Sequence, residues 1–153
     1  MVELYVMGIA LDTRTGTPIV VLNDQENRRA LPIWIGTAEA SAIIRQLENI
    51  KSARPMTHDL LFNVITTTGY AITKIEINDI NSDTYYASIY LDHTDGHQHI
   101  IDARPSDAIA LALRLDCPIF VEQKVIDLSA SSARAETPSD DPEAPADDWP
   151  ELI

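Results

Sequence analysis

Three clusters of polar residues lie where strands and helices are predicted to meet, and they contain the residue types needed for acid–base and anion-binding chemistry. The first spans Gly36–Glu39, the second Arg54–Asp59 and the third Ile101–Asp107. The second and third share one plan: arginine, proline, a hydroxyl residue and an aspartate in the first turn of a predicted helix. Helix starts present free N–H groups and a positive dipole end, which receive phosphate or carboxylate groups. The clusters therefore predict a site for an anionic group.

Each of these residues also has an ordinary structural interpretation. Thr57 and Ser106 are typical helix N-cap residues. An ion pair with the aspartate that follows is the ordinary role of Arg54 and of Arg104. A histidine such as His58, in the first turn of a helix, is commonly a structural or surface residue. Residue type and spacing alone leave both interpretations open.

Several standard catalytic signatures are absent from the chain. It contains no GxGxxG, GxxxxGK[ST], HExxH, CxxC or GxSxG sequence. Nucleotide hydrolysis by a P-loop and serine hydrolysis by a nucleophile elbow are therefore disfavoured. What remains is an acid-rich site with a histidine, the type of site that holds hard divalent ions for phosphodiester chemistry.

The elements that must position these clusters follow from hydrophobic periodicity. Helices are predicted over residues 38–49, from the Thr57 cap to the break at Gly69, and from the Ser106 cap to Leu115. Residues with strand-like patterning fall into seven segments: Val2–Asp12, Ile19–Leu22, Ala30–Ile35, Tyr70–Asn78, Tyr85–Asp92, His97–Asp102 and Ile119–Val121. Strands and helices do not alternate strictly. The order predicts a single compact α+β domain with a mixed, largely antiparallel sheet and about three helices.

Charge divides the 153-residue chain into two parts. Acidic residues outnumber basic ones 24 to 11, for a formal net charge of −13, which argues against a partner held mainly through its phosphates. Nearly half of the excess falls in residues 131–153, which also hold four of the nine prolines. We therefore predict a domain over residues 1–130 and a disordered, acidic, Pro-rich tail over residues 131–153. Its last residues are interpreted either as a docking motif for a protein partner or as terminal sequence without a role.

Cysteine usage and hydropathy predict the compartment. The only cysteine, Cys117, has no partner for an intrachain disulfide, which suits a reducing compartment. No apolar run approaches the roughly 20 residues that span a bilayer, and the N-terminus lacks a basic region followed by an apolar one. We predict a cytoplasmic protein without a membrane partner.

Three segments together resemble a known family. They are LPIWIGTAEASAI (residues 31–43), RPMTHDLL (residues 54–61) and IDARPSDAIALALRLDCPIFV (residues 101–121), and in this order and spacing they resemble the bifunctional nuclease family. The resemblance implies cleavage of both RNA and DNA by a compact α+β domain that assembles into homo-oligomers, here a dimer or a trimer.

The resemblance also implies roles for individual residues in metal-assisted phosphodiester hydrolysis. One or two Mg²⁺ or Mn²⁺ ions would be held by four carboxylates, which are counted among the catalytic residues: Glu39, Asp59, Asp102 and Asp107. His58 would act as general base or acid, since its reference pKa near 6.5 suits that task. Four further residues would bind the substrate, the arginines by bidentate hydrogen bonds to the phosphate: Arg54, Arg104, Thr57 and Ser106.

The charge of the domain departs from that of a strong nucleic-acid binder. Residues 1–130 are acidic, and no basic stripe with interleaved aromatic residues is visible. We therefore expect weak, salt-sensitive binding of RNA and DNA and modest nuclease activity. The alternative is a non-enzymatic, oligomeric regulatory or interaction module, in which the same helix starts bind an anionic ligand or a protein partner.

Overall fold

The computed structural model describes residues 1–135, and side chains as far as residue 132. Residues 136–153, most of the predicted tail, lie outside the described residues. The first five residues of that predicted tail belong to a helix that ends at Ala135. No described helix is long and apolar enough to cross a membrane.

Seven strands and four helices make up the described part of the chain. The strands are β1 (Val2–Leu11), β2 (Pro18–Asn23), β3 (Leu31–Trp34), β4 (Tyr70–Asn81), β5 (Thr84–His93), β6 (Gln98–Ala103) and β7 (Ile119–Val121). The helices are α1 (Thr37–Leu47), α2 (Thr57–Thr67), α3 (Pro105–Leu115) and α4 (Gln123–Ala135). All seven predicted strands and all three predicted helices are confirmed, with shifts of a few residues at their ends.

The strands form one mixed sheet in the order β3-β2-β1-β7-β4-β5-β6. Only the β4–β7 pair is parallel, and the other five pairs are antiparallel. One row of side chains across the sheet is apolar and contributes to the core: Leu4, Ile119, Ile75 and Ile89. The alternate row, which points to the opposite face, carries Glu3, Phe120, Glu76, Ser88 and Asp102. The predicted α+β class is confirmed.

Helix α3 lies at the centre of the helical layer. Its first turn and most of its length are buried, and it packs against α1, α2, β4 and β5. The near-continuous apolar sequence from Ala108 to Ala112 accounts for this position, because a helix that is apolar on most sides must be covered on most sides. The start of α3 is therefore held rigidly beside the starts of α1 and α2.

Two details of the helix starts differ from the prediction. The N-cap residues are Met56 for α2 and Arg104 for α3, and neither Thr57 nor Ser106 is a cap. In α3 the reason is Pro105, whose fixed φ and missing N–H suit the first helical position. In α2 the helix begins at Thr57 itself, and the Asp59 carboxylate accepts a hydrogen bond from the Met56 N–H at 2.8 Å.

Helix α4 was not predicted from the sequence. Only Val125, Ile126 and Ser129 of its described side chains are buried, in a segment otherwise rich in serine and alanine. A short apolar stripe of this kind gives little periodic signal. The helix is positioned by tertiary contacts with β3 and β4, and by a hydrogen bond from Tyr85 Oη of β5 to Ser129 Oγ at 3.1 Å.

A buried carboxylate lies on the sheet face opposite the helices. Glu76 is only 6% exposed and accepts hydrogen bonds from Lys74 Nζ and from Tyr90 Oη, both at 2.6 Å. Lys74 also lies over the Tyr90 ring, 4.3 Å from its centroid. Burial raises the pKa of the Glu76 carboxyl, but the hydrogen bonds from Lys74 and Tyr90 outweigh it, and the pKa is lowered.

Glu76→Gln is expected to destabilise the fold by about 1–3 kcal/mol, because the partly exposed Lys74 ammonium then faces a neutral amide at the buried position 76. Since the folded pKa of Glu76 lies below its unfolded value, its contribution is complete above about pH 4.3 and is lost as the pH falls through the folded pKa. Urea unfolding between pH 7 and pH 3 should therefore show a shallower acid-side decline for the variant. Glu48→Gln, an exposed position, serves as the control, and an equal decline in all three proteins would contradict the prediction.

Candidate functional site

The starts of α2 and α3 border a cleft of about 710 Å³. Its other walls are α1, the loop between α1 and α2, and the last turn of α3. All three polar clusters identified in the sequence contribute to the cleft. The first contributes Glu39, the second contributes His58, and the third contributes Arg104 and Asp107. The fold therefore brings segments separated by more than 60 residues to one place.

The cleft differs in charge from the rest of the chain. Its lining includes four of the chain's 11 Lys and Arg residues but only three of its 24 Asp and Glu residues. The cations are Arg45, Lys51, Arg104 and Arg114. Basic groups are thus concentrated here on an otherwise acidic molecule, which favours the approach of an anion.

A histidine–aspartate pair lies at this cleft. His58 Nε2 is 2.9 Å from Asp107 Oδ1, and both side chains are largely buried. Burial raises the pKa of Asp107, but hydrogen bonds from Arg104 and His58 outweigh it, and the pKa is lowered. Because Asp107 is then ionised and can only accept, Nε2 of His58 must donate to it. The neutral histidine accordingly has its free lone pair on Nδ1.

Arg104 links two helices through their acidic residues. Its Nε and Nη2 donate to the two oxygens of Asp107 at 2.9 and 3.3 Å, and its Nη1 donates to Glu39 Oε1 at 3.0 Å. Asp107 is thereby held by a bidentate fork, which fixes the plane of its carboxylate. The arginine thus orients the same carboxylate that orients His58.

Glu39 folds back over the start of α1. Hydrogen bonding to its own backbone N–H, and then to Arg104, lowers the pKa of its carboxyl. The preceding Gly36 leaves room for this conformation, because a methyl group there would collide with the Glu39 carboxylate. An alanine at position 36 would therefore require the flexible Glu39 side chain to shift.

A second ion pair spans the cleft. Asp59, from the first turn of α2, is paired with Arg114, from the last turn of α3. The other Asp59 oxygen accepts the Met56 N–H. Within the described residues, Nη1 of Arg114 is buried and has no hydrogen-bond partner. A buried guanidinium nitrogen without a partner is costly, and a bound acceptor would satisfy it.

Not all the predicted site residues meet here. His58, Asp59, Asp107, Glu39 and Arg104 line the cleft, together with Thr57, whereas Ser106 is buried in the first turn of α3. The other two do not line it: Asp102 and Arg54.

Strand geometry explains the position of Asp102. It lies opposite Ser88 in the β5–β6 register and so points to the sheet face that carries Glu76, away from the helices. Arg54 is exposed on the loop before α2 and makes no hydrogen bond or ion pair with another described residue.

Two arginines of the cleft were missed by sequence reasoning. Arg114 lies ten residues after Arg104, within the apolar helix sequence, and Arg45 lies in the last turn of α1, where it donates to Ser52 Oγ. A basic residue in the last turn of a helix is favoured by the helix dipole and carries no functional signal by itself. The one available signal was a charge interrupting the otherwise apolar sequence of α3.

The predicted metal ligands do not form a metal site as arranged. Within residues 1–135, no group of three or more His, Cys, Asp or Glu side chains converges on one point. Each carboxylate of the cleft already holds a cation: Glu39 and Asp107 share Arg104, and Asp59 holds Arg114. As arranged, the three carboxylates of the cleft are therefore engaged with arginines, and Asp107 is also engaged with His58.

The fold and the cleft together define a class of protein: a small α+β domain with an oriented histidine in an arginine-lined cleft. The family model described as "Bifunctional nuclease domain" matches residues 20–134. The chain belongs to the bifunctional nuclease domain family.

Relatives come from bacteria and plants. An uncharacterized protein of Mycobacterium tuberculosis is 36% identical over 126 residues, covering 82% of this chain and 74% of the relative. Bifunctional nuclease 1 of Oryza sativa subsp. japonica is 27% identical over 124 residues, covering 80% of this chain and 38% of the relative. Bifunctional nuclease 2 of Arabidopsis thaliana is 26% identical over 95 residues, covering 61% and 29%. The chain thus spans well under half of the plant proteins.

Proposed function

We propose that this protein hydrolyses phosphodiester bonds of RNA and DNA in the cleft between α1, α2 and α3. The observation that carries the proposal is the His58–Asp107 pair at 2.9 Å inside a cleft that is also lined by Arg45, Arg104 and Arg114. An oriented imidazole supplies proton transfer, and guanidinium groups bind phosphate. The family and the names of the plant relatives support the choice of nucleic acid as substrate.

Action on both nucleic acids determines the nucleophile. DNA has no 2′-hydroxyl, so one mechanism for RNA and DNA cannot use that hydroxyl as the nucleophile, and in this proposal water is the attacking group. His58 Nδ1 would accept a proton from that water as its oxygen attacks phosphorus. The bond from phosphorus to the leaving sugar oxygen breaks, and this oxygen takes up a proton from the imidazolium or from solvent. Asp107 stabilises the imidazolium of His58 from the time it accepts the proton of water until it gives that proton up.

The arginines would hold the scissile phosphate. Arg104 is 65% exposed at its side chain, so its outer surface is free to meet a ligand while its fork holds Asp107. Arg114 offers the buried Nη1 that has no acceptor in the described structure. Both guanidinium groups would gain most as negative charge builds on the phosphoryl oxygens in the transition state. Because only a few cations participate, we expect binding of RNA and DNA to be weak, and because these cations contact phosphates, we expect it to be salt-sensitive.

Dependence on Mg²⁺ or Mn²⁺ stays a prediction, and no step of the proposal passes through a metal. The measurement is cleavage after exhaustive EDTA treatment, with and without added Mg²⁺ or Mn²⁺. Activity restored only by the ion would support the metal prediction. Cytoplasmic location and assembly into a dimer or trimer also stay predictions, as does a protein partner for the acidic tail.

Asp107→Asn is expected to reduce cleavage of labelled single-stranded RNA and DNA at least about tenfold, because His58 loses the anion that fixes its tautomer and stabilises its charged form. Asp79→Asn, an exposed aspartate paired with Lys124, is the matched control and should retain full activity. Products should end in linear phosphates. A 2′,3′-cyclic phosphate as the final RNA product, or equal activity in both variants, would contradict the proposal. Specific binding of the oligonucleotides without cleavage would support the alternative of a binding module.

A further inference from the structure

One wall of the cleft carries positive charge that no carboxylate of the described residues neutralises. Of the four cations that line the cleft, Arg104 and Arg114 are paired with carboxylates. Arg45 and Lys51 form no ion pair with another residue in the described part of the chain, and Arg45 donates to the neutral Ser52 Oγ. Both cations lie at the end of α1 or in the loop that follows it. The positive charge that is free to attract an anion is therefore on this wall.

The same wall exposes aliphatic side chains. Ile50 is 45% exposed and Met56 is 50% exposed, and both line the cleft. Cations and aliphatic side chains thus alternate along this part of the chain, and the four residues together form the loop wall: Arg45, Ile50, Lys51 and Met56. A single nucleic-acid strand binds through cations and through aromatic side chains on which its bases stack, and the loop wall has no aromatic side chain. It therefore suits an occupant that is both acidic and apolar.

The segment that follows α4 has both of these properties. Residues 136–153, which lie outside the described residues, contain seven acidic side chains and no basic one. Asp147 and Asp148 are followed directly by Trp149, and two further apolar residues, Leu152 and Ile153, come shortly after. Two carboxylates next to a large apolar side chain complement a wall in which cations alternate with aliphatic groups.

We propose that residues 140–153 dock on the loop wall of their own chain. Carboxylates of the segment pair with the two cations of the wall, and Trp149 packs against its two aliphatic side chains. Arginine binds carboxylate and phosphate through the same hydrogen-bond donors, so the docked segment competes with nucleic acid for the cleft. The docking depends only on the composition of the wall and of the segment, whereas its inhibitory effect rests on the proposed function.

The length of the chain allows this docking. Helix α4 ends at Ala135, and the 13 residues from there to Asp148 span at most about 43–47 Å when extended. A compact domain of 135 residues is about 35–40 Å across, so the acidic residues can reach the cleft. Attachment to the same chain gives the segment an effective concentration on the order of 1 mM. A weak intrinsic dissociation constant of about 0.1–0.5 mM is then sufficient to occupy most clefts.

The first test detects the docked segment without reference to nuclease activity. A zero-length carbodiimide reagent joins an amine to a carboxylate that it contacts, and Lys51 is the one lysine that lines the cleft. Peptide mapping of the full chain by mass spectrometry should find Lys51 joined to residues 136–153. Trp149→Ala should reduce the yield of this product at least about threefold.

The internal control for the cross-link is Lys74. It is paired with Glu76 on the sheet face opposite the helices and should not be joined to residues 136–153. Absence of the Lys51 product, or equal yields at Lys51 and Lys74, would overturn the proposal. Mixing unlabelled and ¹⁵N-labelled full chains before cross-linking identifies the chain that supplies the segment. Docking within one chain joins peptides of like isotope, and a large fraction of mixed products would overturn it.

The second test measures competition with nucleic acid. Four aspartates of the segment are changed together to asparagine in the full chain: Asp140, Asp141, Asp147 and Asp148. The dissociation constant for labelled single-stranded DNA should fall about three- to tenfold, because an occupied cleft weakens binding by one plus the ratio of effective concentration to intrinsic dissociation constant.

A matched control separates competition from a general change in charge. It changes four exposed aspartates outside the cleft to asparagine: Asp79, Asp83, Asp116 and Asp127. The net charge changes by the same amount, and the dissociation constant should fall less than about twofold. Equal gains in the two variants would overturn the competition. A Lys51 cross-link in a protein that binds no DNA in either form would support the docking and overturn the proposed function instead.

Discussion

His58→Gln should lower kcat/KM for single-stranded RNA and DNA by about 10²–10⁴-fold, the range over which a positioned acid or base accelerates proton transfer. The reason lies in the cleft: His58 is the imidazole that Asp107 orients at 2.9 Å, and it is the only histidine among the residues that line it. Glutamine retains a similar length and a hydrogen-bonding amide but cannot take up a proton at neutral pH. The loss should therefore fall mainly on kcat.

Two controls make this result specific. His97→Gln removes an exposed histidine that pairs with Asp95 in the β5–β6 turn, outside the cleft, and it should leave kcat and KM unchanged. The unfolding midpoint of His58→Gln should be measured alongside, because His58 is largely buried and its loss will cost some stability. Full activity in a folded His58→Gln protein would mean that another group moves the proton. An equal residual activity in all variants would identify a contaminating nuclease.

The sheet could be predicted because its signals are local. Alternation in β1, β4 and β5 and the Asp95-Gly96 turn are readable from a few neighbouring residues, and each predicted strand is present. Helix α4 escaped prediction for the opposite reason. Its buried residues, such as Val125 and Ser129, are recognisable only once β3, β4 and β5 are in place.

The candidate site was partly predictable for a related reason. Helix starts gather polar residues in sequence, so Glu39, His58, Asp59, Arg104 and Asp107 could all be singled out before their contacts were known. What sequence could not show was which charges neutralise one another.

The pairing of charges changes the interpretation of the acidic residues. Viewed as a sequence, Glu39, Asp59 and Asp107 are free carboxylates suited to a divalent ion. In the fold each is paired with a cation, and the only sequence signal for one of these cations, Arg114, is that it interrupts an otherwise apolar helix. Asp102 shows a further limit, because two-residue periodicity in β6 directs its side chain to the other side of the sheet.

Arg104→Gln should raise KM for both nucleic acids at least about tenfold and also lower kcat. The rise in KM follows from losing a guanidinium group that is free to bind phosphate on its exposed side. The fall in kcat follows from the loss of the hydrogen bonds that Arg104 donates to Asp107. In the variant, the Asp107 and Glu39 carboxylates also lose the guanidinium cation that they share. His58 is then less firmly oriented.

Salt dependence separates these two effects. If Arg104 contacts a phosphate, the slope of log KM against log salt concentration should be smaller by about 1 in Arg104→Gln, because one fewer counterion is released on binding. Arg104→Lys keeps the charge but loses the fork, so it should preserve the salt slope while still lowering kcat. Arg28→Gln, which removes an exposed arginine paired with Glu26 outside the cleft, should alter neither quantity. An unchanged salt slope in Arg104→Gln would show that this arginine only positions Asp107, and the phosphate contact would then fall to the other cations that line the cleft, Arg45, Lys51 or Arg114.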